Sequence, residues 1–248
     1  MGTGDQVAIG GFIVTGNAQK KVIVRGLGPS LQQANIDSFL ADPVLELHNP
    51  NGSVLTTNDN WKDTQEAAIL ATGVAPTDDH ESAIIALLAP NPYTAVLRGK
   101  NNTSGTGLIE IYDLDPAADS QLANISTRGF VQTQENVMIG GFMLGGNTNS
   151  SHVIVRGIGP SLAAAGVTNV LADPTIDLRD NNGDRITFND NWQDDAAEAA
   201  AVSAAGVPPG NAAESALSVT LPPGTYTVIL SGKAGASGNA LLEVYKLP

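Results

Sequence analysis

The chain contains no cysteine among its 248 residues, so no disulfide can hold its fold together. Basic residues are also scarce, because 12 Lys and Arg stand against 25 Asp and Glu and give a formal net charge of −13. A chain this acidic repels nucleic acids and anionic membrane surfaces. We therefore expect no nucleic-acid partner, and no membrane insertion either, since no apolar run reaches the length that spans a bilayer.

Aromatic residues make up only 4% of the chain, with Trp 2, Tyr 4 and Phe 5. The hydrophobic cores must therefore be mostly aliphatic, and few rings remain for a sugar-binding surface. Glycine and proline are numerous, with Gly 27 and Pro 14, which is typical of a turn-rich β protein. The length suits two domains of ordinary size.

The sequence is an internal duplication. Residues 58–61 read Asn-Asp-Asn-Trp and residues 189–192 repeat them, so that Trp61 and Trp192 occupy equivalent places. Other motifs recur in the same order, such as Arg-Gly-x-Gly-Pro-Ser-Leu and Glu-Ser-Ala. We predict one module at 1–115, a linker at 116–121, and a second module at 122–248.

Each module contains about seven short segments with strand character. Residues 217–221 alternate between aliphatic and hydroxyl side chains, which is the period of a half-buried strand. Asn-Gly pairs at 51–52 and 182–183 predict tight hairpin turns. The pattern predicts an all-β fold of two tandem antiparallel β-sandwich domains, jelly-roll or immunoglobulin-like.

One short helix is predicted in each module, after the tryptophan. Asp63 and Asp195 open segments of capping-box character, because Glu follows each of them three residues later. Alanine-rich turns come next, and Gly73 and Gly206 stand where a C-terminal cap belongs.

The Asn-Asp-Asn-Trp loops admit two interpretations. In the first they are structural corners, where Asn and Asp bond to nearby backbone and Trp carries apolar surface into the core. In the second they are oxygen-rich cation sites that would suit calcium, with Asp59 and Asp190 as first ligands and Asp63 and Asp194 nearby. The spacing differs from the loop of helix–loop–helix calcium sites. The cofactor prediction is therefore none, or calcium.

Arg25 and Arg156 end an apolar strand at the same place in each copy. A planar guanidinium can hold several oxygens, so each arginine is predicted to clamp carboxylates or carbonyls of its own module. Contact with a ligand carboxylate or a sugar is the alternative. The candidate partners are Asp42 or Glu81 for the first arginine and Asp173 or Glu214 for the second.

No catalytic constellation stands out. The three histidines, His48, His80 and His152, have no histidine at the matching positions of the other copy, which argues against a duplicated catalytic or zinc site. The Gly-Pro-Ser turns lack the form of a nucleophile elbow. We predict that the chain is not an enzyme.

A segment at 122–131 has strand character but no counterpart in the first module. Its apolar residues Leu122, Ile125, Phe130 and Val131 need burial, so it must pair with one module or the other. Its place just before Val137 favours the second module. Either choice leaves one module with an open strand edge, and open edges recruit other strands. We therefore expect self-association.

Taken in order, the motifs Ile-Gly-Gly-Phe, Arg-Gly-x-Gly-Pro-Ser-Leu, Ala-Asp-Pro, Asn-Asp-Asn-Trp, Glu-Ser-Ala and Glu-x-Tyr resemble a tandem module of large secreted bacterial proteins. Such modules are common in verrucomicrobial and planctomycete surface proteins. Residues 223–228, Pro-Gly-Thr-Tyr-Thr-Val, also resemble the pre-peptidase C-terminal domain over a short stretch. Both resemblances imply extracellular, non-catalytic accessory modules without a catalytic set.

The favoured function is therefore a structural, adhesion or assembly module, outside a bacterial cell or on its surface. Its expected partners are other copies of itself or neighbouring modules. A carbohydrate-binding module that meets extracellular glycan is the alternative, and an enzyme accessory domain is the third. Residues 1–4 have neither the basic start nor the apolar stretch of a signal peptide, so we expect a leader to precede them in the native chain.

Overall fold

The computed structural model describes residues 7–134, 136–145 and 149–247. The chain is built mainly from antiparallel strands and divides into two compact units, Met1–Ile125 and Ser126–Pro248. The all-β prediction of two tandem sandwiches with one short helix each is confirmed. The boundary between the units lies a few residues beyond the predicted linker, inside a strand. No helix in the described ranges is both long enough and apolar enough to cross a bilayer.

The first unit consists of two facing sheets. Its elements are β1 (Ala8–Gly16), β2 (Lys20–Leu27), β3 (Pro43–His48), β4 (Val54–Asn58), α1 (Glu66–Leu70), β5 (Ser82–Leu88), β6 (Pro92–Gly99) and β7 (Leu108–Asp113), with 3-10 turns at Pro29–Ala34 and Lys100–Asn102. One sheet has the order β1–β6–β3–β4, and the other has the order β5–β2–β7.

The second unit repeats this plan. Its elements are β9 (Met138–Leu144), β10 (Ser151–Ile158), β11 (Pro174–Arg179), β12 (Arg185–Asn189), α2 (Ala196–Ala204), β13 (Ser215–Leu221), β14 (Gly224–Gly232) and β15 (Gly238–Lys246), with 3-10 turns at Pro160–Ala165 and Lys233–Gly235. Its sheets have the orders β9–β14–β11–β12 and β13–β10–β15. Strand by strand, β9 therefore corresponds to β1 and β15 to β7.

Strand β8 (Ser120–Val131) begins in the first unit and ends in the second. In the first unit its neighbour is β1, and in the second its neighbour is β15. The prediction that this segment pairs with only one module is therefore wrong. The segment is instead hydrogen-bonded to one strand of each unit.

Side chains that alternate along the strands form an aliphatic core between the two sheets of each unit. In the first unit Phe12 stacks on Tyr93 with ring centroids 5.7 Å apart, and in the second Phe142 stacks on Tyr226 at 5.4 Å. The fully buried aliphatic residues of the first core include Val22, Val24, Leu45, Leu47 and Leu97, and those of the second include Val153, Val155, Ile176, Leu178 and Leu230.

A second, smaller core lies on the outer face of the three-stranded β5–β2–β7 arrangement. Ile23 and Ala83 from the sheet pack with Trp61 and with Ile69 of α1. In the second unit Ile154 and Ala216 pack in the same way with Val202 of α2 and a half-buried Trp192. This outer layer explains why a short helix follows each tryptophan.

The two helices begin differently. The Asp195 carboxylate accepts hydrogen bonds from the N–H groups of Ala197 and Glu198, as the capping pattern predicts. In contrast, α1 begins after Gln65, which has a left-handed φ of 60°, so the capping prediction for Asp63 is wrong. The Gln65 side chain instead donates to the Ile85 carbonyl and accepts from the Ile85 N–H, each at 3.0 Å. These two bonds to β5 fix the start of α1.

Candidate functional site

An arginine clamp lies on the outer face of the first unit. Arg25 stands directly opposite Glu110 in the β2–β7 register, so the two side chains emerge on the same face. The guanidinium donates to Glu110 Oε2 from Nε at 2.9 Å and also from Nη2, and Nη1 donates to the Val74 carbonyl at 2.6 Å. The Tyr112 hydroxyl donates to Glu110 at 3.1 Å, and its ring lies 5.2 Å from the guanidinium carbon.

The second unit builds the same clamp. Arg156 Nε donates to Glu243 Oε2 at 3.0 Å, and Nη1 donates to the Val207 carbonyl at 2.7 Å. The Tyr245 hydroxyl donates to Glu243 at 2.8 Å. Burial raises the pKa of Tyr245 to about 12, and the charge of Glu243 adds to this effect. Burial also raises the pKa of Tyr112 in the first unit.

The carboxylate partners named from the sequence for the two arginines are wrong. In the described part of the chain, Asp42, Glu81, Asp173 and Glu214 form no ion pair with either arginine. The actual partners are the carboxylates directly opposite in the strand register. The repeated Glu-x-Tyr motif carried the missing signal, because residues two apart on a strand share a face.

A buried glutamate forms the second shared cluster. Glu81 is fully buried, and its Oε1 accepts from the N–H groups of Gly28 and Ser30 at 3.0 and 2.9 Å and from the Ser30 hydroxyl at 2.5 Å. Glu214 repeats this arrangement with Gly159 and Ser161. Each glutamate therefore fastens a Gly-Pro-Ser turn to the strand that follows the glutamate.

Glycine is required where the turn begins. A Cβ atom on Gly28 would lie 1.9 Å from the Leu40 carbonyl oxygen, and one on Gly159 would lie 2.0 Å from that of Leu171. Proline then occupies the first helical turn, where its missing N–H costs nothing. The Arg-Gly-x-Gly-Pro-Ser motif and the distant Glu-Ser-Ala motif are thus two halves of one contact.

The Asn-Asp-Asn-Trp loop of the first unit gives each residue a separate partner. The buried Asn58 accepts from the Ala83 N–H at 2.9 Å and donates to the Asn60 carbonyl at 3.0 Å. Asn60 donates to Asp63 at 3.1 Å. The Trp61 backbone N–H donates to the Glu81 carbonyl at 2.8 Å. The second unit repeats these four bonds with Asn189, Ala216, Asn191, Asp194, Trp192 and Glu214.

A lysine lies between two aspartates beside each loop. Lys100 Nζ is 2.6 Å from Asp59 and 3.4 Å from Asp42. Lys233 Nζ is 2.5 Å from Asp190 and 3.6 Å from Asp173. The lysine thus supplies a positive charge beside the first aspartate that the calcium interpretation uses.

The four aspartates keep unused acceptor capacity. In the described residues the buried Oδ1 atoms of Asp42, Asp59, Asp173 and Asp190 have no hydrogen-bond partner. The two other proposed ligands, Asp63 and Asp194, are exposed and bonded to their own loop. Within the described ranges no three His, Asp or Glu side chains are grouped so that they could hold a metal ion. Calcium binding here stays a prediction.

Each of the three histidine side chains contacts one polar side chain of its own unit. His80 Nδ1 lies 3.0 Å from Asp78, and His48 Nε2 lies 3.1 Å from Glu46. His152 Nε2 is 2.8 Å from Ser218 Oγ. Lys21 occupies the place of His152 in the first unit, since the carbonyls of both residues accept the same backbone hydrogen bond after the last strand of the unit. The first unit therefore does not repeat the Ser–His contact.

Comparisons with known proteins do not place the chain in a family. No family model matches it. No curated protein matches it either. Among solved structures, a chain of Sulfolobus Turreted Icosahedral Virus is 11% identical with a TM-score of 0.26, covering 95% of this chain and 85% of its own.

Two further structures give values in the same range. A protein from Eubacterium rectale is 11% identical with a TM-score of 0.22, covering 95% of this chain and 68% of its own. The infectious bursal disease virus VP2 subviral particle is 12% identical with a TM-score of 0.21, covering 99% and 69%. TM-scores this low do not indicate a shared fold, so no property is transferred from these proteins.

Proposed function

We propose that this chain is a non-catalytic structural module that acts through its surfaces and strand edges, outside a bacterial cell or on its surface. One observation carries the proposal: the polar motifs that recur in both copies bond to their own unit. Arg25 holds a carboxylate and a carbonyl, Glu81 holds a turn, and Asn58 holds a loop. A role in folding therefore accounts for these three duplicated contacts.

The same contacts argue against catalysis at these motifs. A general base must keep a free lone pair within reach of a substrate. Glu81 is fully buried, and each of its carboxylate oxygens accepts at least one hydrogen bond from a backbone N–H. Glu110 accepts from Arg25 and Tyr112 together. These carboxylates are engaged in stabilising the fold.

The proposed partners are further copies of the chain or neighbouring modules of the same kind. Light scattering across a concentration series, from micromolar to millimolar protein, tests this directly. We expect the mean mass to rise with concentration, because edge contacts between small modules are weak one by one. A constant monomer mass over the whole series would contradict assembly through like modules.

Carbohydrate binding is the second candidate. A depression of ≈ 380 Å³ beside the first clamp is lined by polar and aliphatic residues, among them Gln33 and Thr77, and the described residues of its lining include no aromatic ring. Phe188 on β12 of the second unit is 47% exposed, but the Arg185 guanidinium covers its ring. A glycan array separates the two candidates, since saturable binding to any glycan would favour carbohydrate binding.

A further inference from the structure

The two copies differ at the edge of their first strand, β1 in the first unit and β9 in the second. In the first unit β1 lies between β6 and β8. In the second unit β9, the repeat of β1, pairs with β14 on one side, and no other described strand lies along its second edge. The edge that β8 covers in one copy is thus open in the other.

Side-chain exposure follows the same difference. Ile139 and Met143 on β9 are 59% and 67% exposed, whereas their counterparts Ile9 and Ile13 on β1 are only partly exposed. Natural edge strands usually carry charges, prolines or bulges that prevent pairing with other strands. In contrast, β9 reads Met-Ile-Gly-Gly-Phe-Met-Leu and has neither a charge nor a proline. The opposite edge of the same sheet, β12, begins with a charged residue, Arg185.

The backbone of β1 shows how the edge is used. The Val14 N–H donates to Asn91 on the β6 side, and the Asn17 N–H donates to the Asp119 carbonyl just before β8. Alternate residues of a strand face opposite neighbours. By the repeat, Ile139, Gly141 and Met143 direct their N–H and carbonyl groups to the open edge of β9.

We propose that the open edge of β9 is a binding site for the linking strand of a further copy of this repeat, a strand of the β8 type. The occupant follows from the first unit, where β8 fills the same position and Leu122 packs against the core that contains Phe12. The inference rests on the proposed structural function and specifies its contact: a strand added to β9, with an apolar residue at the position of Leu122.

The chain itself offers a direct test. Leu114 and Leu247 leave their units in the same way, since each donates its N–H at 2.9 Å to a carbonyl of the second strand, Lys21 or His152. Replacing Pro248 by a second copy of residues 115–131 therefore places a β8-type strand where the repeat puts it. A tether of this length gives an effective concentration in the millimolar range.

Hydrogen exchange of β9 amides is the measurement. In the extended chain we expect the amides of Ile139, Gly141 and Met143 to exchange at least about tenfold more slowly than in the parent chain. A Gly141→Pro change removes an edge-facing N–H and should abolish the protection, since proline is tolerated only on free edges. Ile139→Lys places a charge at an exposed position of β9 and should also reduce the protection. Its matched control is Ile186→Lys on β12, where Ile186 is 43% exposed, and this variant should leave the protection unchanged.

Three results would overturn the proposal. The first is equal exchange of the β9 amides in the extended and parent chains. The second is equal protection by an extension of scrambled sequence, which would show that the tether suffices. The third is concentration-dependent protection of the β9 amides in the parent chain, which would mean that β9 pairs with a strand of a second molecule other than an added β8-type strand. If protection is absent while light scattering still shows assembly, this inference fails and the proposed structural function stands.

Discussion

Trp61 and Trp192 lie at equivalent loops of the two units, but their side chains differ in burial and in hydrogen bonding. Both backbone N–H groups donate at 2.8 Å to the carbonyl of the buried glutamate, so the loop frame is the same. Trp61 is 4% exposed, and its indole N–H donates to the Asp78 carbonyl at 3.0 Å. Trp192 is half-buried, and its indole N–H has no hydrogen-bond partner among the described residues.

This contrast separates the contacts that define the module from those that vary. The backbone bonds of the loop, the arginine clamp and the backbone contacts of the buried glutamate are the same in both units. The surroundings of the tryptophan vary: Lys62 covers the Trp61 ring at 5.2 Å, whereas Gln193 follows Trp192. The helix that follows has 5 residues in the first unit and 9 in the second. The shared contacts are thus formed in both units although different residues pack in the outer core.

The greatest loss of stability should come from disrupting a feature that the units share. Arg25→Ala and Arg156→Ala should each destabilise their own unit by about 3–5 kcal/mol, because a partly buried carboxylate is left unpaired. The loss should be greater for Arg156→Ala, since the Glu243 side chain is 11% exposed and that of Glu110 is 23%. Denaturant unfolding measures both.

Arginine-to-lysine variants are the controls for this comparison. Arg25→Lys and Arg156→Lys keep the positive charge and lose the planar fork, so intermediate losses of stability are expected. Alanine variants with the stability of the parent chain would show that the clamp is not required in either unit.

Alkaline pH should destabilise the second unit more than the first. The pKa of Tyr245 is raised to about 12 in the folded protein, mainly by burial and then by Glu243. The unfolded chain loses this proton near pH 10 and the folded unit does not, so deprotonation favours unfolding. The stability is therefore complete below pH 10 and falls as the pH rises to about 12. The loss should be about 1–2 kcal/mol, because solvent screens a partly exposed group.

The control for the pH prediction is Tyr245→Phe, which should remove this part of the pH dependence from the second unit. Unfolding in guanidinium at several pH values gives the slope of the unfolding free energy against pH. Identical slopes between pH 10 and pH 12 for the parent chain and the variant would contradict the assignment to Tyr245.

A smaller effect tests the tryptophan comparison itself. Trp61→Phe loses an indole hydrogen bond and apolar surface, whereas Trp192→Phe loses apolar surface only. We therefore expect Trp61→Phe to cost about 1 kcal/mol more than Trp192→Phe. Denaturant unfolding followed by circular dichroism measures both losses, and the fluorescence of the remaining tryptophan reports the unmutated unit separately. Equal losses would mean that the Asp78 contact adds no stability.

The sequence was sufficient for the parts of this fold that depend on local pattern. Period-two alternation and Asn-Gly turns predicted the strands, and the spacing of repeated motifs predicted the two units. It was insufficient where two distant positions meet, as with Arg25 and Glu110, because the strand register is not readable from one sequence. Asp63 failed as a cap for a similar reason, since the Gln65 contact with Ile85 on β5 fixes the helix start.

The weakest of the expected effects concerns the Asp–Lys–Asp groups and calcium. Lys100 and Lys233 each contact two aspartates whose Oδ1 atoms, in the described part of the chain, accept no hydrogen bond. Removing the ammonium leaves two carboxylates near each other without a counter-charge, which is an arrangement that attracts a hard cation. Lys100→Ala and Lys233→Ala should therefore respond to calcium more strongly than the parent chain.

In these variants the free energy of unfolding should rise by about 0.4 kcal/mol when the calcium concentration equals the dissociation constant, because a ligand that binds only the folded state stabilises it by mass action. Melting curves in calcium and in chelator measure it. Lys62→Ala is the matched control, since Lys62 pairs with the single exposed carboxylate of Asp79 at 2.5 Å. Curves that coincide in calcium and chelator for both Lys100→Ala and Lys233→Ala would remove the calcium interpretation of the Asn-Asp-Asn-Trp loops. The lysines would then be the permanent counter-ions of Asp59 and Asp190, and the loops would be structural corners in both units.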